Sequence, residues 1–149
     1  MGRWRLRILL LTVMLIIQGC GVLAPSDPDN PPLGLRLADE GYEIVIPLCA
    51  KDRAERILVQ DEQLGDFRIG VGESGVRSRV GDGFQFLAVP AEVFTGATEF
   101  TLHVSSEQRT WLEYYRAAHI NREINGGSEF NHENVTLEQL RRAAENSDC

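Results

Sequence analysis

The chain has 149 residues, of which 43% are apolar and 25% charged, and its formal net charge is −7. That size suits one domain with one modest core and excludes several domains or a polytopic membrane protein. The composition is that of a globular chain. Its acidity excludes a nucleic-acid surface, which needs clustered Lys and Arg.

The first nineteen residues read as a secretion signal. Arg3, Arg5 and Arg7 precede an apolar run from Ile8 to Ile17 that only Thr12 interrupts. A basic head and about ten apolar residues fit a signal, and the run is shorter than the roughly 20 residues of a bilayer span. Taking those three arginines from the fifteen basic residues leaves twelve against twenty-two acids, a charge of about −10.

The segment Ile17-Gln18-Gly19-Cys20 resembles the lipobox of bacterial lipoproteins. In that family a diacylglyceryl group is joined to the cysteine sulfur and the signal is cut just before it. The resemblance implies lipidation at Cys20 and anchoring on the extracytoplasmic side of the cell membrane. Gln18 departs from the commoner small or branched residue at its position. Two acyl chains anchor stably, whereas one binds only marginally.

With Cys20 lipidated, Cys49 and Cys149 remain as an even pair in an oxidising compartment, which predicts a disulfide. A bridge closing about 100 residues contributes about 2–4 kcal/mol. Two free buried thiols are the alternative. Neither cysteine belongs to a Cys-x-x-Cys pair, and no Cys/His spacing matches a zinc motif, so no metal or cofactor is expected.

Residues 20–32 read as the lipidated cysteine and a tether. Four prolines and two acids among residues 21–32 cannot form a helix or an interior strand. In extended proline-rich form such a segment reaches roughly 35–40 Å. The folded domain is expected at residues 33–149.

The strands come at intervals of about ten residues. Tyr42, Ile44, Ile46 and Leu48 share one face of the first, and Pro47 marks its end or an edge position. Residues 55–60 alternate through Ile57 and Val59, and residues 66–71 through Phe67, Ile69 and Val71. A short strand at 76–80 leads into Gly81-Asp82-Gly83, which supplies hairpin turn chemistry before a strand at 84–89. Residues 99–104 alternate most cleanly, with Phe100, Leu102 and Val104 inward. Residues 110–115 read as a seventh strand, because aromatic residues favour strands. A helix running on through Ala117, Ala118 and His119 is the other option.

Residues 119–135 read as an irregular connector. The end is a helix, since Thr136-Leu137-Glu138-Gln139 matches a capping box and Leu137, Leu140, Ala143 and Ala144 make an apolar stripe. The expected fold is mainly β: a single-domain, Ig-like antiparallel sandwich of about seven strands with one C-terminal α-helix. Pro47-Leu48-Cys49 after the first strand and a last helix closing on Cys149 resemble small envelope lipoproteins of actinobacteria. That resemblance implies a β-rich envelope domain and carries no activity with it.

No catalytic motif emerges. His132-Glu133 lacks the second histidine of a zinc protease, because Thr136 occupies its position. Gly72-Glu73-Ser74-Gly75 is followed by Val76, so it is a turn rather than a nucleophile elbow. Asp61, Glu62 and Asp66 lack calcium-loop spacing. Trp111, Tyr114 and Tyr115 form an interaction patch if exposed and part of the core if buried.

The function expected is a lipid-anchored envelope protein that presents a small non-catalytic β domain to a protein or cell-wall partner. The alternative is a small metal- or solute-binding lipoprotein, or an enzyme, using histidines and carboxylates of the connector such as His119, His132, Glu129 and Glu133. A site of that kind brings at least two of His103, His119 and His132 together with carboxylates in one concavity, whereas a binding module shows an exposed aromatic or apolar patch and histidines scattered in space.

Overall fold

Strand alternation and short turns make four hairpins that switch between two antiparallel sheets. The computed structural model describes residues 31–49, 52–127, 130 and 132–147. The hairpins are β1 (Gly34–Ala38) with β2 (Gly41–Pro47), β3 (Arg56–Asp61) with β4 (Gly65–Gly70), β5 (Arg77–Gly81) with β6 (Phe84–Pro90), and β7 (Glu99–Ser105) with β8 (Thr110–Arg116). A two-residue strand, β9 (Asn125–Gly126), and a helix, α1 (Leu137–Glu145), follow. The first and third hairpins join through β2 and β6, and β9 adds to β1, giving the order β5-β6-β2-β1-β9. The second and fourth join through β3 and β7, giving β4-β3-β7-β8.

The result is a β-sandwich of nine strands rather than about seven. The two not anticipated are β1 and β9. Leu33-Gly34-Leu35 is too short an apolar run to stand out beside a proline-rich leader, and β9 owes its existence to pairing with β1. Pro31 and Pro32, expected at the end of the tether, are buried. Pro47 does end its strand, but β2 is central, so the edge option is excluded.

Inward residues build the main core: Leu35, Ile44 and Ile46 from β1 and β2, Leu87 and Val89 from β6, and Ile57, Val59, Leu102 and Val104 from the facing sheet. An aromatic chain crosses its end, with ring centroids 4.5 Å apart for Tyr42–Phe94, 5.1 Å for Phe94–Phe100 and 5.9 Å for Phe100–Tyr115. The β5–β6 turn has positive φ at Asp82 (53°) and Gly83 (83°), as a two-residue hairpin between right-twisted strands requires.

The five-stranded sheet is apolar on its other face as well. Val45, Phe84 and Phe86 point outward and pack with Ile124, Val135 and Leu140 in a second core under α1. The helix starts as the sequence predicts: Gln139 N donates to Thr136 Oγ1 at 3.2 Å, and Thr136 N donates to Gln139 Oε1 at 2.8 Å. Leu140 and Ala144 are its buried residues, while Leu137 and Ala143 are only partly covered. Gly34 lies below, where an added Cβ would come within 2.5 Å of Ile124 and 2.9 Å of Leu140.

Leu140→Ala is expected to cost about 2–5 kcal/mol, as deletion of a fully buried leucine does. Chemical denaturation read by tryptophan fluorescence measures it. A cost near that of an exposed leucine contradicts the seating of α1 on the sheet.

Candidate functional site

The two sheets treat their outer faces differently. The five-stranded sheet is roofed by α1, whereas the outer face of β3, β4 and β7 stays open. A groove of about 740 Å³ runs over it, lined by Arg56, Leu58, Arg68, Glu73, His103 and Thr110 among others. Leu112, opposite His103 in the β7–β8 ladder, is 43% exposed beside it. His103 thus lies on the outward face that alternation predicts, but it is half-buried. That burial holds its pKa below the usual histidine value, with the Asp66 charge opposing.

The aromatic group of β8 splits across the strand. Trp111 and Tyr115 are fully buried, and Tyr114 alone faces outward. The reading of Trp111, Tyr114 and Tyr115 as one patch is therefore corrected, because adjacent strand residues point to opposite faces. Tyr115 Oη donates to the Leu33 carbonyl at 2.9 Å, which ties β8 to the segment leading into β1. Burial pushes the Tyr115 pKa well above its ordinary value of 10.0, and the Glu113 charge adds to the shift. Glu113 is inward and 5% exposed, pressed so closely by Gly127 that a Cβ there would meet its carboxylate.

The second cluster lies where the chain leaves β8. A 3₁₀ turn (Ala117–His119) follows directly, and the connector then doubles back on itself. Val135 N donates to Ile124 O at 2.7 Å and Gly126 N to Glu133 O at 2.9 Å. Asn125, 1% exposed, sits in the fold of this return. Its Nδ2 donates to the carbonyls of both His119 and His132, each at 3.0 Å. One amide therefore fixes two histidines thirteen residues apart in sequence. His132 has φ +61°, a left-handed conformation that a non-glycine residue rarely takes.

The two imidazoles meet, with ring centroids 5.6 Å apart. Tyr114 lies edge-on to His132 at 5.7 Å. His119 is exposed, while His132 is half-buried and its Nδ1 has no hydrogen-bond partner among the described residues. Burial lowers the His132 pKa, as do the nearby His119 and Arg116, with Glu99 opposing. Glu99 and Arg116 themselves form an ion pair at 3.0 Å. Two of the three histidines thus come together near a carboxylate, while His103 belongs to the groove, which neither of the others lines. Among the described residues no group of three or more His, Cys, Asp or Glu could hold a metal ion. Glu129 lies outside the described residues. Glu133 contributes backbone contacts to the connector's fold and is exposed to solvent.

Other sequence candidates are structural. Asp61 accepts from Gln63 N at 2.8 Å and Leu64 N at 2.9 Å, which closes the β3–β4 turn. These two hydrogen bonds hold its carboxyl below the usual carboxylate range. Ser74, at φ +46° between Gly72 and Gly75, belongs to a turn. Cys49 is 5% exposed, and Arg109 Nη1 donates to its sulfur at 3.2 Å. Cys20 and Cys149 lie outside the described residues.

Asn125 is the site residue that sequence reasoning missed. Its role depends on two carbonyls brought together by the fold, and no local motif announces that. Comparison with family models, curated proteins and solved structures finds no match to this chain.

Tyr115 supplies a pH test with a definite sign. Its pKa is raised in the folded state, so its contribution is complete below pH 10.0 and is lost as pH rises beyond that value. Tyr115→Phe leaves the Leu33 carbonyl without its donor, at an expected cost of about 1–3 kcal/mol near neutral pH. The gap between the two proteins narrows above about pH 10. Urea denaturation at pH 7 and pH 10.5 checks both statements.

Proposed function

We propose that the chain is a lipid-anchored cell-envelope protein that presents the sandwich as a non-catalytic binding module to a protein or cell-wall partner. The anchor is a diacylglyceryl group on Cys20, and the proline-rich segment after it holds the domain away from the bilayer. The observation that carries the binding role is the unequal treatment of the two outer sheet faces. One is covered by its own helix. The other keeps a groove lined by Arg56, Arg68, Glu55, Glu73 and His103, with exposed Leu112 beside it. Such a mixture of polar and apolar groups suits a transient, wet interface better than an obligate one. Among the described residues no helix is long and apolar enough to cross a membrane.

A Cys49–Cys149 disulfide belongs to the same proposal. Leu48 N donates to Gly83 O at 2.9 Å, and Arg141 of α1 donates to the neighbouring Asp82 O at 3.0 Å. Both contacts bring the chain just before Cys49 and the helix leading toward Cys149 to the same hairpin turn. A bridge there would staple α1 to the sheet it covers.

Intact-mass spectrometry of the native membrane-bound protein tests the anchor and the bridge together. The expected mass begins at Cys20, includes the acyl chains, and is two hydrogens lighter than the reduced form. Cys20→Ser is expected to leave the leader uncut and the lipid absent. An unprocessed chain or a bare Cys20 in the native material contradicts the proposal.

The binding face is tested by a photo-crosslinking residue at Leu112, with one at Val80 as the comparison. Val80 is 52% exposed on β5, at the edge of the other sheet and away from the groove. Adducts in the native envelope are expected at Leu112 only, and only in the anchored protein. Equal adducts at both positions, or none at Leu112, contradict the assignment.

A further inference from the structure

We propose that His119 and His132 form a site for a divalent transition-metal ion of the imidazole-binding class, with Zn²⁺ as the probe. Imidazole suits zinc, copper and nickel, whereas calcium and magnesium prefer oxygen. Two imidazoles bound to one tetrahedral ion, at about 2.0–2.1 Å from nitrogen to metal, have ring centroids about 5–6 Å apart. The observed separation is 5.6 Å, with the rings tilted by 59°.

Two further observations point the same way. His132 Nδ1 is buried and has no hydrogen-bond partner among the described residues, although a buried imidazole nitrogen ordinarily has one. The backbone that carries both rings is also pre-positioned, as is the His132 ring. Asn125 Nδ2 holds the carbonyls of both histidines at 3.0 Å, and Tyr114 packs edge-on against the His132 ring at 5.7 Å. His132 is kept at a positive φ of 61° to do this, a strain that surrounding contacts must offset. Asn125 is a positioning residue here, since it orients backbone and does not contact the ion.

His119 is exposed, so the ion would be reached from solvent, with water or a partner's ligand completing its coordination. Two protein ligands with open positions describe a site that senses or bridges rather than one that holds the fold together. The same two imidazoles without a metal are an ordinary ring contact, and the experiment separates the two cases.

The full chain, solubilised in detergent, is titrated with ZnCl₂ and followed by calorimetry and by the proton resonances of its three histidines. One zinc per chain is expected, with the His119 and His132 signals shifting together and those of His103 staying in place. His119→Gln and His132→Asn are each expected to weaken zinc binding at least tenfold. Asparagine is chosen because it tolerates positive φ. Zinc that leaves the His119 and His132 signals unmoved, or moves only one of them, overturns the proposal. So does unchanged affinity in both variants. If a variant does not fold, the resonances of the unaltered chain decide.

Discussion

The architecture depends on β2 and β6 being apolar on both faces. Ile44, Ile46, Leu87 and Val89 fill the space between the sheets, and Val45, Phe84 and Phe86 project to the opposite side. Leaving that side in water would forfeit roughly 25 cal/mol for each Å² of apolar surface. A two-layer sandwich therefore does not suffice, and a third layer follows. Leu140, Val135 and Ile124 supply most of it. Arg79, with its guanidinium 3.7 Å above the Phe86 ring, and Arg141 over Phe84 extend the cover with cationic groups that also meet solvent.

The route to that third layer explains the connector. The chain leaves β8 in the four-stranded sheet, yet the helix must arrive over the five-stranded one. The segment between them crosses the side of the sandwich, adds β9 to the edge of β1, and turns back on itself around Asn125. Because a crossing segment lacks a full strand ladder, its carbonyls need other donors. Asn125 provides them for His119 and His132. Gln85 does the same at another loop: its Oε1 accepts from Ala54 N at 2.8 Å and its Nε2 donates to Ala54 O at 3.2 Å. Two buried amides thus close the sandwich where the backbone cannot. The meeting of the two imidazoles is a geometric consequence of one of these closures.

This division also explains what could be read from the residues. Alternation located the inward faces of β3 and β7, the Asp82-Gly83 turn and the capped helix, because each signal is local and reinforced by burial. Val45 was not assigned to a second core, since a residue on the supposed outer face is expected to be polar. Its reason lies nearly a hundred residues downstream, in Leu140. Trp111, Tyr114 and Tyr115 read in sequence as either patch or core, and the pleat divides them: Trp111 and Tyr115 are core, and Tyr114 faces outward. The histidine pair was legible as a list of residues in the connector, but their meeting was not, for it comes from the connector's return on itself, where Asn125 bonds both histidine carbonyls. Glu113 shares the inward parity of Trp111 and Tyr115, which buries it between them.

The edges of the sheets bear on how a partner would approach. A bare strand edge invites another strand, and sheet proteins suppress this with charge and cover. On β5, Arg77 pairs with Glu40 at 2.6 Å and Arg79 with Glu43 at 3.1 Å, and Glu43 also binds Arg36. On β4, Asp66 and Arg68 lie between the terminal glycines Gly65 and Gly70. Beside β8, the returning connector brings Gly127 against Glu113 and His132 against Tyr114. Strand addition is thus opposed at these three edges, while the open face between β4 and β8 is neither charged throughout nor covered. A partner bound there would engage side chains and leave both ladders unextended. Its specificity would then rest on the few groups that stand upright from that surface, His103 and Leu112 foremost, since the backbone beneath them is already paired within the sheet.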